Sequence, residues 1–215
     1  MRIAAGMTEI TDPYVYPGTD VLRNTVGLMD PDDAFRFERN MSFARRRQLE
    51  INPVQGGFDL RHLCRIHRQL YQDVWDWAGQ IRTVEISKGS SQFHPHTLIR
   101  LAFAGEVEKF LASSALLSNP HVNDDAFVHD AAELLSMVNY IHAFREGNGR
   151  TQRAYIDQIA GLSGRRLTWR NVSRLDNEQA SIRAFNSAAG APLELMLRAA
   201  LEPPAAGSAV LGSEI

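Results

Sequence analysis

The chain has 215 residues, enough for one domain with a sizeable core, and its 44% hydrophobic content excludes a disordered polymer. A formal net charge of -2 gives no bulk basic field for nucleic acid or an anionic membrane, so any anion site has to be local. The single cysteine, Cys64, excludes an internal disulfide and no Cys/His cluster has zinc spacing, which points to a reducing compartment. The N-terminus lacks an apolar signal region and no apolar run reaches membrane-spanning length, so a cytoplasmic protein is expected, with a signal-less secretion route left open.

In chain order, residues 1–13 read as an N-terminal arm, and Pro13, Pro17 and Gly18 keep the following stretch extended or turned. Asp30 followed by Pro31 is an N-cap and first-turn signal, predicting a helix toward Ile51, where the "NPVQGG" stretch stops it. Asp59 caps a second predicted helix, with Leu63, Ile66, Leu70, Val74 and Trp77 on one face and its end at Gly79. "IRTVEISKGSSQF" then alternates Val84 and Ile86 with polar residues around a Gly-Ser turn signal and predicts a short hairpin. Helices are predicted at about 97–117 and 124–142, the latter with Phe127, Ala131, Leu134, Val138 and Ile141 in one stripe. A further helix follows to about Gly164, then two shorter ones near 173–188 and from Pro192. The domain is read as 14–201, and 202–215, rich in Pro, Ala, Gly and Ser, as a disordered tail. The fold class is mostly α: a helical bundle with one short β-hairpin.

One stretch, "HAFREGNGRTQR" from His142 to Arg153, does not fit a helix. Gly147 and Gly149 permit positive φ, and successive amides there can form an anion nest. The free N–H groups of the helix that follows face the same space, as do Arg150 and Arg153, three residues apart. Arginines at a helix N-terminus oppose its dipole unless an anion offsets them, and a phosphate chain fits. Glu146 beside phosphates calls for a divalent cation such as Mg²⁺ between them. His142 has an unperturbed pKa near 6.5, which suits a general base. Base, metal carboxylate, backbone cradle and arginine clamps are what phosphoryl or nucleotidyl transfer requires. Each residue also has a plainer reading. His142 could satisfy helix-end carbonyls, the glycines could be a C-cap, and Arg153 could pair with Asp157 four residues on.

The stretch resembles the signature H-x-F-x-[DE]-G-N-[GK]-R of Fic-domain proteins, and "YVYPGTDVLRN" and "IHRQLYQDVWDWAGQIRTVEISKGSSQF" extend the likeness. The resemblance implies the Fic fold, with the hairpin as a flap over the active site, and transfer of AMP from ATP to a target hydroxyl. It implies His142 as catalytic base, Glu146 as the Mg²⁺ ligand, Gly147, Asn148 and Gly149 as anion hole, and Arg150 and Arg153 on the β- and γ-phosphates. Phe144 would anchor the loop in the core, and the flap residues Val84, Glu85, Ile86, Ser87, Lys88 and Gly89 would dock the target by strand addition. Most members have proline where this chain has Ala143. Phosphorylating relatives carry lysine at the position of Gly149, which favours AMP transfer here.

The family's inhibitory helix carries [ST]-x-x-x-E-[GN]; only Glu146 is followed by Gly or Asn, and His142 stands four residues before it. The expected partner is therefore a separate small antitoxin carrying that helix. By resemblance to stand-alone bacterial toxins, the expected target is the B subunit of DNA gyrase and its topoisomerase IV counterpart. The alternatives are a catalytically decayed binding module, or an enzyme moving another phosphate-containing group onto a secreted effector's target. The other clusters carry less. "FHPH" holds His94 and His96 without a third metal ligand, and Arg45–Arg47 and Arg165–Arg166 read as solvated or paired.

Overall fold

The computed structural model describes residues 12–88, 91–117, 123–187 and 190–202. Most of the arm, Gly89 and the tail beyond residue 202 lie outside the described residues. Helix α1, Pro31–Ile51, starts where the sequence places it, with the Asp30 carboxylate accepting from the amides of Asp32 and Asp33. Helix α2, Leu60–Tyr71, is capped by Asp59. It ends eight residues before Gly79, because the carbonyls that would continue it are taken elsewhere. The Thr25 hydroxyl donates to the Asp73 carbonyl (2.6 Å) and its amide to the Val74 carbonyl (3.0 Å). Arg45 of α1 holds the Asp73 carboxylate. Val74 and Trp75 are buried in the turns that follow, and Trp75 stacks on Trp77 at 4.4 Å.

The hairpin is smaller than the sequence suggests. Strands β1, Ser87–Lys88, and β2, Ser91–Gln92, pair antiparallel with Ser87 opposite Gln92. Val84 stays outside the ladder because its carbonyl accepts from Arg82 (2.8 Å). After a 3₁₀ turn, helix α3, Ile99–Ala102, runs through a π-helical segment, Phe103–Glu108, into α4, Lys109–Ser113.

Helix α5, Asp124–Ile141, is the centre of the molecule. Its stripe of Phe127, Ala131, Leu134, Val138 and Ile141 is buried throughout. Helix α6, Asn148–Leu162, α7, Arg174–Ser187, and α8, Ala191–Ala200, pack against it, and α2 packs on α1 and α6. One continuous core joins α2, α5, α6 and α8, so the loop between α5 and α6 is held at both ends by buried helices. No helix among the described residues is long and apolar enough to cross a membrane.

Candidate active site

The loop from α5 to α6 begins with a backbone reversal. His142 follows the last residue of α5 in the left-handed region, φ 48° and ψ 62°. Glycine usually fills such a cap, because a side chain there meets its own backbone. The imidazole Nδ1 lies 3.0 Å from the Asn139 carbonyl. A carbonyl only accepts, so Nδ1 carries the proton and the neutral ring keeps its lone pair on Nε2. The helix-end reading of His142 and the base reading are thus compatible: one nitrogen serves the helix and the other is set up to receive a proton. Phe93, just after β2, stacks on the ring with centroids 3.7 Å apart and planes 17° apart.

The rest of the loop is locked from below. Ala143 and Phe144 are buried, and Phe144 stacks on the His67 ring at 3.9 Å. His67 donates from Nε2 to the Glu146 carbonyl (3.0 Å) and accepts at Nδ1 from the Gly79 amide (2.8 Å). Burial holds this histidine neutral, with its pKa pushed down to about 3. The Asn148 side chain closes a reciprocal pair with Phe144, accepting from its amide (3.0 Å) and donating to its carbonyl (2.7 Å). Asn148 is therefore committed to the loop through its side chain, and only its backbone amide is left to face an anion.

Of the two glycines, Gly147 alone takes positive φ, at 81°. Its carbonyl accepts from the Thr151 hydroxyl (2.9 Å) and amide (3.1 Å). Gly149 lies in the first turn of α6. Glu146 is exposed, and its carboxylate accepts from the Gly147 amide (2.9 Å). Among the described residues no group of three or more His, Cys, Asp or Glu could hold a metal by itself. An exposed single carboxylate beside a phosphate cradle fits a Mg²⁺ that arrives with a nucleotide and takes its other ligands from phosphate and water.

The two arginines of α6 sit in different surroundings. Arg150 pairs with Glu38 of α1, Nη1 to Oε1 2.5 Å, and donates to the Ser42 hydroxyl at 3.0 Å. Its guanidinium also lies over the Tyr71 ring, 5.2 Å from the centroid. The pairing is one of charge and proximity, because its angle leaves Glu38 Oε1 without a well-directed hydrogen bond. Burial pushes the Glu38 carboxyl up, and the Arg150 charge works against that rise. Arg153 makes no ion pair among the described residues and stacks over Trp169 at 5.8 Å. Burial, then the nearby charges of Arg46 and Arg150, lower its pKa to about 10. The expected pair with Asp157 gives way to another. Asp157 accepts from Arg46 (3.1 Å) and the Trp169 indole (2.7 Å), and burial lifts it to about 6. A half-buried arginine with no ion pair among the described residues, at the start of a helix, favours an anionic ligand.

Sequence reasoning missed His67, Glu38 and Arg82, and it gave Asp157 the wrong partner. His67 and Glu38 look like ordinary helix residues, and only their contacts with the loop and with Arg150 distinguish them. Arg82 stands in the quoted flap segment, but its almost complete burial gave no signal. Of the flap, Val84, Glu85, Ile86, Ser87 and Lys88 follow Arg82 and Thr83, and His96 pairs with Glu85 at 2.7 Å. The basic triplet is fully paired, Arg45 to Asp73, Arg46 to Asp157 and Arg47 to Glu50.

Residues 57–160, which include this loop and the flap, match the model of the Fic/DOC family. A probable protein adenylyltransferase Fic of Salmonella typhimurium is 35% identical over 77% of this chain and 80% of its own length. The chain belongs to the Fic/DOC family. The protein adenylyltransferase VbhT of Bartonella schoenbuchensis is 36% identical over 81% of the chain, but the chain spans only 36% of that protein. Among solved structures, the Fic domain of a Bartonella sp. AR 15-3 effector superposes with a TM-score of 0.83 at 21% identity, covering 94% of the chain and 96% of that domain. The BepC effector of Bartonella tribocorum, solved with bound AMPPNP, gives a TM-score of 0.81 at 20% identity, over 91% of the chain and 99% of its own. The mostly helical Fic fold is thereby established for this family member.

Proposed function

We propose that this Fic protein is an ATP-dependent protein adenylyltransferase that moves AMP from ATP onto a hydroxyl side chain of a target protein. The observation that carries the reading is the left-handed His142, protonated on Nδ1 by its bond to Asn139, at the mouth of a backbone cradle flanked by Arg150 and Arg153. His142 Nε2 accepts the proton of the target hydroxyl as its oxygen attacks the α-phosphorus. The bond from that phosphorus to the bridging oxygen breaks, and pyrophosphate leaves. The amides of Asn148 and Gly149 at the start of α6, joined by that of Gly147 once its acceptor Glu146 turns to a cation, face the charge that develops on the phosphates. Arg150 takes the β-phosphate, with Glu38 holding it in place, and Arg153 takes the γ-phosphate. Glu146 would hold Mg²⁺, which when bound neutralises phosphate charge and stabilises the leaving pyrophosphate. The flap, Val84 to Gly89, aligns the target segment by strand addition.

The sequence supplies no inhibitory glutamate motif, and Arg153 makes no ion pair among the described residues. That supports a toxin restrained by a separate small antitoxin; action in the cytoplasm on type II topoisomerases rests on the resemblance to stand-alone bacterial toxins. Mass spectrometry of AMP-modified peptides from cells expressing the wild type or His142→Ala tests the reading. The wild type is expected to leave one AMP on gyrase or topoisomerase IV peptides, and the variant none while remaining folded. Modification at wild-type level by His142→Ala would remove the base assignment, and a mass increment other than AMP would change the transferred group.

A further inference from the structure

Four successive carbonyls at the end of the catalytic helix, those of residues 140 to 143, accept hydrogen bonds from the two roots of the flap. The His94 amide donates to Tyr140 (3.2 Å), and the Arg82 amide donates to Ala143 (2.9 Å). The Arg82 guanidinium reaches the two between, Nε to the His142 carbonyl at 2.8 Å and Nη2 to the Ile141 carbonyl at 3.4 Å. Its remaining donors go to the flap itself: the Val84 carbonyl, the Glu85 carboxylate and the His94 carbonyl. Arg82 is only 1% exposed, which makes it the largest fully buried side chain among the described residues.

Burying a guanidinium is unfavourable unless its donors are met, and here all three nitrogens are engaged. The last carbonyls of a helix lack intrahelical partners and carry the negative end of its dipole. Arg82 therefore caps α5 at the very peptide whose carbonyl belongs to His142. It joins that peptide to both flap roots, at Val84 and His94. Phe93 adds a ring contact from the flap to the imidazole.

We propose that Arg82 is a positioning residue for the catalytic base, and that with Phe93 it ties the two roots of the flap and the His142 imidazole into one unit. A target strand seated on the flap is then registered directly against Nε2, without an independent loop motion in between. Arg82 holds the left-handed peptide of His142, and Phe93 holds its ring plane. The Nδ1–H stays aimed at the Asn139 carbonyl as a result.

Imidazole ¹⁵N spectra of the histidine-labelled full chain, with the His142 signals assigned through His142→Ala, test this without any target. In the wild type at a pH where the ring is neutral, His142 should show one tautomer, protonated on Nδ1. Arg82→Gln and Phe93→Leu should each give a mixture, while isothermal titration with Mg-ATP stays within about threefold of wild type. In the activity arm, which rests on the proposed AMP transfer, both variants should lose about 10²-fold, the scale of a 1 Å misplacement. Arg82→Lys, which keeps the positive charge on a single nitrogen, should recover part of that loss. A wild-type tautomer in both variants overturns the proposal whatever the activity does. Should Arg82→Gln fail to fold, Phe93→Leu decides alone, since it leaves the buried charge in place. Loss of the single tautomer without any AMP transfer in the wild type would overturn the function and leave the positioning role standing.

Discussion

His67 shows how a residue far from the reacting atoms sets the site. It lies flat against Phe144, and its two nitrogens tie the Glu146 carbonyl to the Gly79 amide. The bond from the Gly79 amide needs the neutral ring, because a protonated Nδ1 has no lone pair left to accept with. Its folded pKa of about 3 lies below the ordinary value near 6.5, so the unfolded chain binds the proton first as pH falls. Its contribution is complete above pH 6.5 and is lost on acidification toward about 3. A shift of this size corresponds to several kcal/mol. Urea unfolding between pH 7 and pH 4 should therefore show stability falling more steeply in the wild type than in His67→Gln. The glutamine can keep both bonds and has no proton to gain. Equal slopes in the two proteins would refute this account of His67.

At the scale of elements, the close approach of α2 to the start of α6 depends on the missing side chain of Gly147. A Cβ at that position would lie 2.5 Å from the Tyr71 ring, which is fully buried, and the backbone is at φ 81°. Gly147→Ala should lower stability by about 2–4 kcal/mol, from overpacking and left-handed strain together. The loss of Mg-ATP binding should exceed that of Gly149→Ala, whose added Cβ meets nothing closer than 3.8 Å, and calorimetry of the two variants checks the order. The loop itself was legible in the sequence, since the glycines, the histidine and the arginines are contiguous and need no tertiary information. Helix starts at Asp30 and Asp59 were legible for the same reason: a cap and its helix are neighbours in the chain. The early end of α2 was not, because the groups that stop it, Thr25 and Arg45, come from segments remote in sequence. Arg82 and Glu38 were missed on the same physical ground, since charge in a sequence says nothing of its burial.

At the scale of the whole molecule, the site joins three bodies: α1 through Glu38 and Arg46, the α5–α6 pair, and the flap. A ligand that occupies the cradle touches elements that unfold together, so binding should raise global stability. Mg-ATP at 100 times its Kd is expected to add about 2.7 kcal/mol. The thermal midpoint should climb with nucleotide concentration. Arg153→Gln should remove most of the climb while leaving the midpoint without nucleotide nearly unchanged, because Arg153 has no ion pair to lose among the described residues. A variant that unfolds much earlier without nucleotide would mean that Arg153 serves the fold before it serves a phosphate.

The left-handed His142 has a bearing on how such a protein decays under selection. Asparagine tolerates this backbone region at least as well as histidine, and one base change converts one codon to the other. His142→Asn should keep stability within about 1 kcal/mol of the wild type in chemical denaturation and abolish AMP transfer. A cell burdened by the activity can therefore silence it in one mutational step, with no misfolded product to clear. Inactive but intact copies are the expected residue of that history, and they would still bind whatever the living enzyme binds.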